Sequence, residues 1–176
     1  VTQLSNSIAA RVEDSYADLI RVVSGLTPAQ LAIPCDDHGG DTVGDVAAHL
    51  ADGARQVLAW VAGGSPASTD QASADGASAD GASADGAGHD HPHVDPAEIT
   101  ALLQRSADTA AGLLRGLTDE QLQAVLPAAP GIADGNTPLE QVIGNMLDHQ
   151  AHHLAHMEQA LARQSVGSAA GLPQDT

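Results

Sequence analysis

Apolar residues return at three- and four-residue spacing through four long stretches of this chain, a period that a helix satisfies and a strand does not. Leu4, Ile8, Val12, Tyr16, Leu19, Val23 and Leu26 mark a first helix over about 4–24, with Gly25 placed to end it. A long connection with Pro28, Pro34 and Gly39-Gly40 as breakers follows. Thr42 then reads as an N-cap, with Asp45 three residues on at a helix end that favours negative charge. Val43, Val46, Leu50, Val57 and Val61 carry this second helix to Gly63-Gly64. A third opens at Asp95-Pro96, a cap followed by proline at the first helical position, and its stripe runs from Ile99 through Leu103 and Leu114 to Leu117. Thr137-Pro138-Leu139-Glu140 begins a fourth, with Glu140 at the capping-box position, and the helix continues through Ile143, Leu147, Leu154 and Met157 to about Gln164.

The core these stripes can build is aliphatic, because the chain has no Phe, one Trp (Trp60) and one Tyr (Tyr16). Leu, Val, Ile and Ala suit close helix packing better than a sheet, where aromatic and β-branched residues are enriched. Gly25-Leu26-Thr27-Pro28-Ala29-Gln30-Leu31 trails the first helix and Gly116-Leu117-Thr118-Asp119-Glu120-Gln121-Leu122 the third. That faint repeat suggests two related helical hairpins, and four amphipathic helices bury their stripes most simply as an all-α four-helix bundle. The bundle is expected as one domain over 1–164. Inside it, 65–93 reads as a flexible low-complexity loop between helices two and three: Ala-Ser-Ala-Asp-Gly occurs three times (72–76, 77–81, 82–86), and such a repeat buries too little to offset its ordering entropy. The tail, 165–176, is expected to be disordered.

Charge narrows the function. Twenty-three acids face six arginines and no lysine, for a formal net charge of −17. Such a field repels phosphate backbones and anionic membranes, so neither nucleic acid nor a membrane is expected as a partner. Lysine-based covalent catalysis is excluded. The start Val1-Thr2-Gln3-Leu4-Ser5 lacks a basic, apolar leader, no run approaches a membrane span, and one cysteine fits a reducing compartment. The expectation is a cytoplasmic protein.

Chemistry concentrates in Asp148-His149-Gln150-Ala151-His152-His153-Leu154-Ala155-His156, four imidazoles within one helical stretch. At ~100° per residue His149, His153 and His156 share one face and His152 flanks them. His149 and His153, one turn apart, can grip a single metal ion, although a solvated histidine face or satisfied core histidines would give the same spacing. His49, on the second helix beside Val46 and Ala47, is the candidate for a third ligand. Three protein ligands plus a water is the pattern of catalytic rather than structural zinc.

Thr-x-x-Asp-x-x-x-His-Leu-x-Asp at 42–52, Gly-Leu-Thr-x-x-Gln-Leu at 116–122 and His-x-x-His-His-x-x-His at 149–156 together resemble the DinB/YfiT-like superfamily of metalloenzymes. The resemblance covers the chain apart from the repeat insertion and the tail. It implies a four-helix bundle of variant up-and-down topology holding one divalent ion, Zn or Ni, on His49, His149 and His153. His156 stands where members often have Gln, and is assigned as a candidate general base. The family includes mycothiol-dependent maleylpyruvate isomerase and bacillithiol or mycothiol S-transferases. The resemblance therefore implies a thiol transferase, isomerase or hydrolase-like enzyme that activates mycothiol, or water, against a small electrophilic substrate. The alternatives are a non-catalytic metal- or ligand-binding bundle, and a bundle whose histidines form a homodimer surface.

Other residues carry weaker signals. Cys35, in an acidic loop that would raise its pKa, reads as a packed thiol before a nucleophile or fourth ligand. His38 reads as a loop histidine before a residue lining the mouth of the site, and Asp52 and Asp148 are candidates to hold imidazole N–H groups. Trp60 and Tyr16 are core fillers or pocket walls. His89, His91 and His93 read as a solvated tract before a metal feeder.

Overall fold

The computed structural model describes residues 2–35, 41–61, 95–129 and 131–169. Among these residues six helices form: α1 (Gln3–Val23), α2 (Pro28–Leu31), α3 (Val43–Val61), α4 (Pro96–Gly116), α5 (Asp119–Gln123) and α6 (Leu139–Ala169). Among the described residues no strand forms, and backbone pairing outside helices is limited to isolated bridges such as Pro34–Thr42 and Val125–Pro138. The chain is all-α. The expected loop at 65–93 lies outside the described residues.

The four long helices pack around a closed ring: α1 on α4, α4 on α3, α3 on α6, and α6 back on α1. Each contributes one apolar stripe. Ile8, Val12, Tyr16, Leu19 and Val23 of α1 and Ile99, Leu103, Ala107, Ala110 and Leu114 of α4 are all buried. Ser106, itself buried, donates to the Ala51 carbonyl at 2.9 Å and ties α4 to α3.

Local chemistry explains the helix starts. Thr2 and Ser5 cap α1 reciprocally. Asp95 accepts from the Ala97 N–H at 2.9 Å ahead of Pro96. At α3 the Thr42 N–H donates to Asp45 at 2.9 Å and the Asp45 N–H donates to Thr42 at 3.2 Å, so Asp45 completes a capping box.

Several sequence expectations need correction. The stretch after α1 is not simply a loop: Thr27 and Gln30 form a capping box around the one-turn helix α2, as Thr118 and Gln121 do around α5. Both repeat leucines, Leu31 and Leu122, plug the core. Helix α1 does end just ahead of Gly25, at Val23 with Ser24 as C-cap, but without a left-handed glycine; the positive-φ glycines among the described residues are Gly131 and Gly135. At α6 no Thr137–Glu140 capping box forms. Asp134 instead accepts from the N–H groups of Asn136 (2.8 Å) and Thr137 (3.0 Å), which holds its carboxyl below the ordinary range, and the helix begins after Pro138. Nor does the last helix stop at Gln164. It continues to Ala169, since no proline interrupts it and each added residue gains a hydrogen bond.

Candidate metal centre

Helices α3 and α6 pack against each other, and Val46, Ala47 and Leu50 of the one and Ile143, Leu147 and Met157 of the other are buried in the shared core. His49 stands at the edge of the α3 stripe, and His149 and His153 at the edge of the α6 stripe. The packing therefore brings three imidazoles together from positions far apart in sequence. One donor nitrogen from each of His49, His149 and His153 lies within 4.8 Å of the other two. Ring centroids are 5.9 Å apart for His49–His149, 5.6 Å for His49–His153 and 4.2 Å for His149–His153. His153 is buried, at 6 % exposure, while His49 and His149 are exposed, so the cluster is closed on its inner side and open on its outer one.

The Nε2 atoms of His149 and His153 are 2.9 Å apart. Without a metal that separation needs one ring to donate and the other to accept, which two imidazolium rings cannot do. With a metal it suits neighbouring ligands: bonds of ~2.0–2.1 Å place two adjacent nitrogens roughly 3 Å apart. The three residues fit a divalent ion that prefers imidazole.

The orientation of α6 depends on a residue that the sequence reading passed over. Gln150 is only 2 % exposed and its Oε1 accepts from Ser15 Oγ of α1 at 3.0 Å. This bond pins the α1-facing side of α6, and its neighbours His149 and His153 are thereby turned toward α3. A buried glutamine in an apolar stripe was the available signal. On the same side, α1 and α6 leave a groove of about 280 Å³ lined by Arg11, Asp14, Asp18, Leu147, Asp148 and Leu154, among others. None of the three histidines lines it.

The remaining candidates scatter. Asp148 turns into that groove and makes no bond to an imidazole, because its place on the helix is on the far flank from His153. Cys35 is packed in the core and is not part of the three-donor group. His156 is half-buried with its ring against His152, centroids 4.1 Å apart, and also stands outside that group. Trp60 and Tyr16 are buried core residues. His38, His89, His91 and His93 lie outside the described residues.

An all-helical chain that assembles three imidazoles across two helices defines a class: helical proteins with an inter-helical histidine cluster. The family model of the DinB superfamily matches residues 11–157, and the chain belongs to that superfamily. No curated protein and no solved structure matches it. Among the described residues no helix is long and apolar enough to cross a membrane.

Proposed function

We propose that this DinB-superfamily chain holds one divalent metal ion, zinc or nickel, on His49, His149 and His153, and is an enzyme acting on a small electrophilic substrate. The attacking group is a low-molecular-weight thiol such as mycothiol, or water. The observation that carries the reading is the convergence of three imidazole donors within 4.8 Å, two of them exposed. Such an ion, when bound, lowers the pKa of a thiol or water at an open position. His153 forms the inner wall, and His49 and His149 leave the solvent side for the substrate. His156, one turn beyond His153, is the proton acceptor in this reading. The fold that supports it is a four-helix bundle of variant up-and-down topology, formed by 1–164 as one domain in the cytoplasm.

Elemental analysis of purified protein is the direct test. One zinc or nickel per chain is expected, and His149→Ala with His153→Ala should remove it while far-ultraviolet dichroism stays helical. Full metal content in that double variant would end the proposal. So would a wild-type protein that takes up neither ion on dialysis. The thiol arm is separate: mycothiol added to cobalt-loaded protein should give sulfur-to-metal charge-transfer absorption, and an unchanged spectrum would leave water as the nucleophile.

A further inference from the structure

The triad accounts for three of the imidazoles on these helices and leaves two others paired with each other. His152 and His156 are one turn apart on α6, their ring centroids 4.1 Å apart and their planes tilted by 53°. That approach is closer than the 4.2 Å of His149–His153, the pair already assigned to a metal. His152 is exposed and His156 half-buried, so the pair opens to solvent. Neither supplies a donor to the three-histidine group. His152 nevertheless sits beside His153, at 6.2 Å between centroids, so the pair borders the triad on its outer side.

We infer that His152 and His156 form a second metal site, a two-imidazole clamp for a divalent transition ion such as nickel, copper or zinc. Three physical points carry it. Residues four apart on a helix place their side chains over the same patch, so two rings can take adjacent positions on one ion without any change of backbone. Neutral imidazole is a borderline-soft donor that selects these ions over magnesium or calcium. The surrounding chain, at −17, concentrates cations at its surface. With two protein ligands the remaining positions belong to water, which makes this site weaker than the triad and exchangeable, and His156 serves as a proton acceptor only while this second site is empty.

Equilibrium dialysis of the metal-free full chain against nickel tests it. The experiment is run in a His89→Gln, His91→Gln, His93→Gln background, so that those histidines do not enter the count. Two ions per chain are expected, the second bound about tenfold or more weakly, as the loss of one imidazole ligand implies. His152→Gln with His156→Gln should leave one tight ion and an unchanged helical dichroism spectrum. His149→Gln with His153→Gln should leave only the weaker ion, and copper added to that variant should show two coordinated nitrogens by electron paramagnetic resonance. The inference is overturned if the His152/His156 variant still binds the weaker ion, if the parent shows no weaker ion, or if copper in the His149/His153 variant shows fewer than two nitrogens. Loss of the tight ion alone counts against the triad and not against this pair.

Discussion

Tyr16 gives the sharpest quantitative test of the packing. It is fully buried in α1, and its hydroxyl makes no hydrogen bond of ordinary geometry. Burial pushes its pKa from 10.0 up to about 12, against a smaller lowering effect of the adjacent Gln150 amide. The ionised phenol is thus disfavoured in the folded chain relative to the unfolded one. Its contribution to stability is fully present below the unfolded value and disappears as pH rises through the folded value. At ~1.4 kcal/mol per unit, the loss across that window is about 2–3 kcal/mol. Urea unfolding followed by dichroism at stepped alkaline pH measures it directly. The absence of lysine keeps this window nearly clear of other titrations, and the tyrosinate absorbance reports on Tyr16 alone. Tyr16→Phe should abolish the slope attributable to the phenol. At neutral pH it should leave stability unchanged or raise it by about 1 kcal/mol, because a buried hydroxyl without a partner is removed. Tyrosinate forming at the ordinary pH, or a loss of more than about 1 kcal/mol in the Phe variant, would refute the reasoning by showing a solvated or well-bonded hydroxyl.

Zinc at ~100 times its dissociation constant should stabilise the chain by about 2.7 kcal/mol in a thermal or urea assay, and the His149→Ala, His153→Ala variant should show no such gain. Gly135→Ala should cost about 1–3 kcal/mol in urea unfolding, since φ is +78° and a Cβ would meet Ala128 at 3.1 Å. Thr27→Ala and Thr118→Ala should each cost about 1 kcal/mol by the same assay, and by similar amounts, because both remove the same capping box.

The long helices were legible because a stripe of seven apolar residues repeats the period several times over. Helices α2 and α5 were not, because a single turn carries no period; only the Thr-x-x-Gln spacing marks them. The entry to α6 misled for a different reason. Thr137 and Glu140 have cap spacing, but Asp134 takes the N–H of Thr137 first, and the helix starts one residue later, at Leu139. At the candidate site the His149–His153 spacing was readable within one helix. The approach of His49 required the packing of α3 on α6, and the sequence offered it only as a candidate for a missing third donor. Gln150 carried only the signal of a glutamine within an apolar stripe, because its partner, Ser15, is on a helix 135 residues away.

The repeat is more than shared exit chemistry, and it bears on where the cluster sits. Ile8 and Ile99, Val12 and Leu103, Leu19 and Ala110, Val23 and Leu114, and Leu31 and Leu122 recur at one constant offset, every one buried. The Val43 N–H donates to the Ile33 carbonyl at 2.9 Å, and the Leu139 N–H to the Ala124 carbonyl at 3.0 Å, so each half closes its loop the same way. Exchanging α1 with α4 and α3 with α6 leaves the ring of helix contacts unchanged. Even Ser15 and Ser106 correspond, each tying its helix to a neighbour, one through Gln150 and the other through the Ala51 carbonyl. The donors break this pattern. Aligned on Val43 and Leu139, His49 faces Asn145 in register, His149 faces Gly53, and His153 faces the core residue Val57. A symmetric scaffold alone does not decide on which side three donors gather. Placing one histidine on α3 and two on α6 gathers all three donors on one side of the seam, and the other side is left to packing.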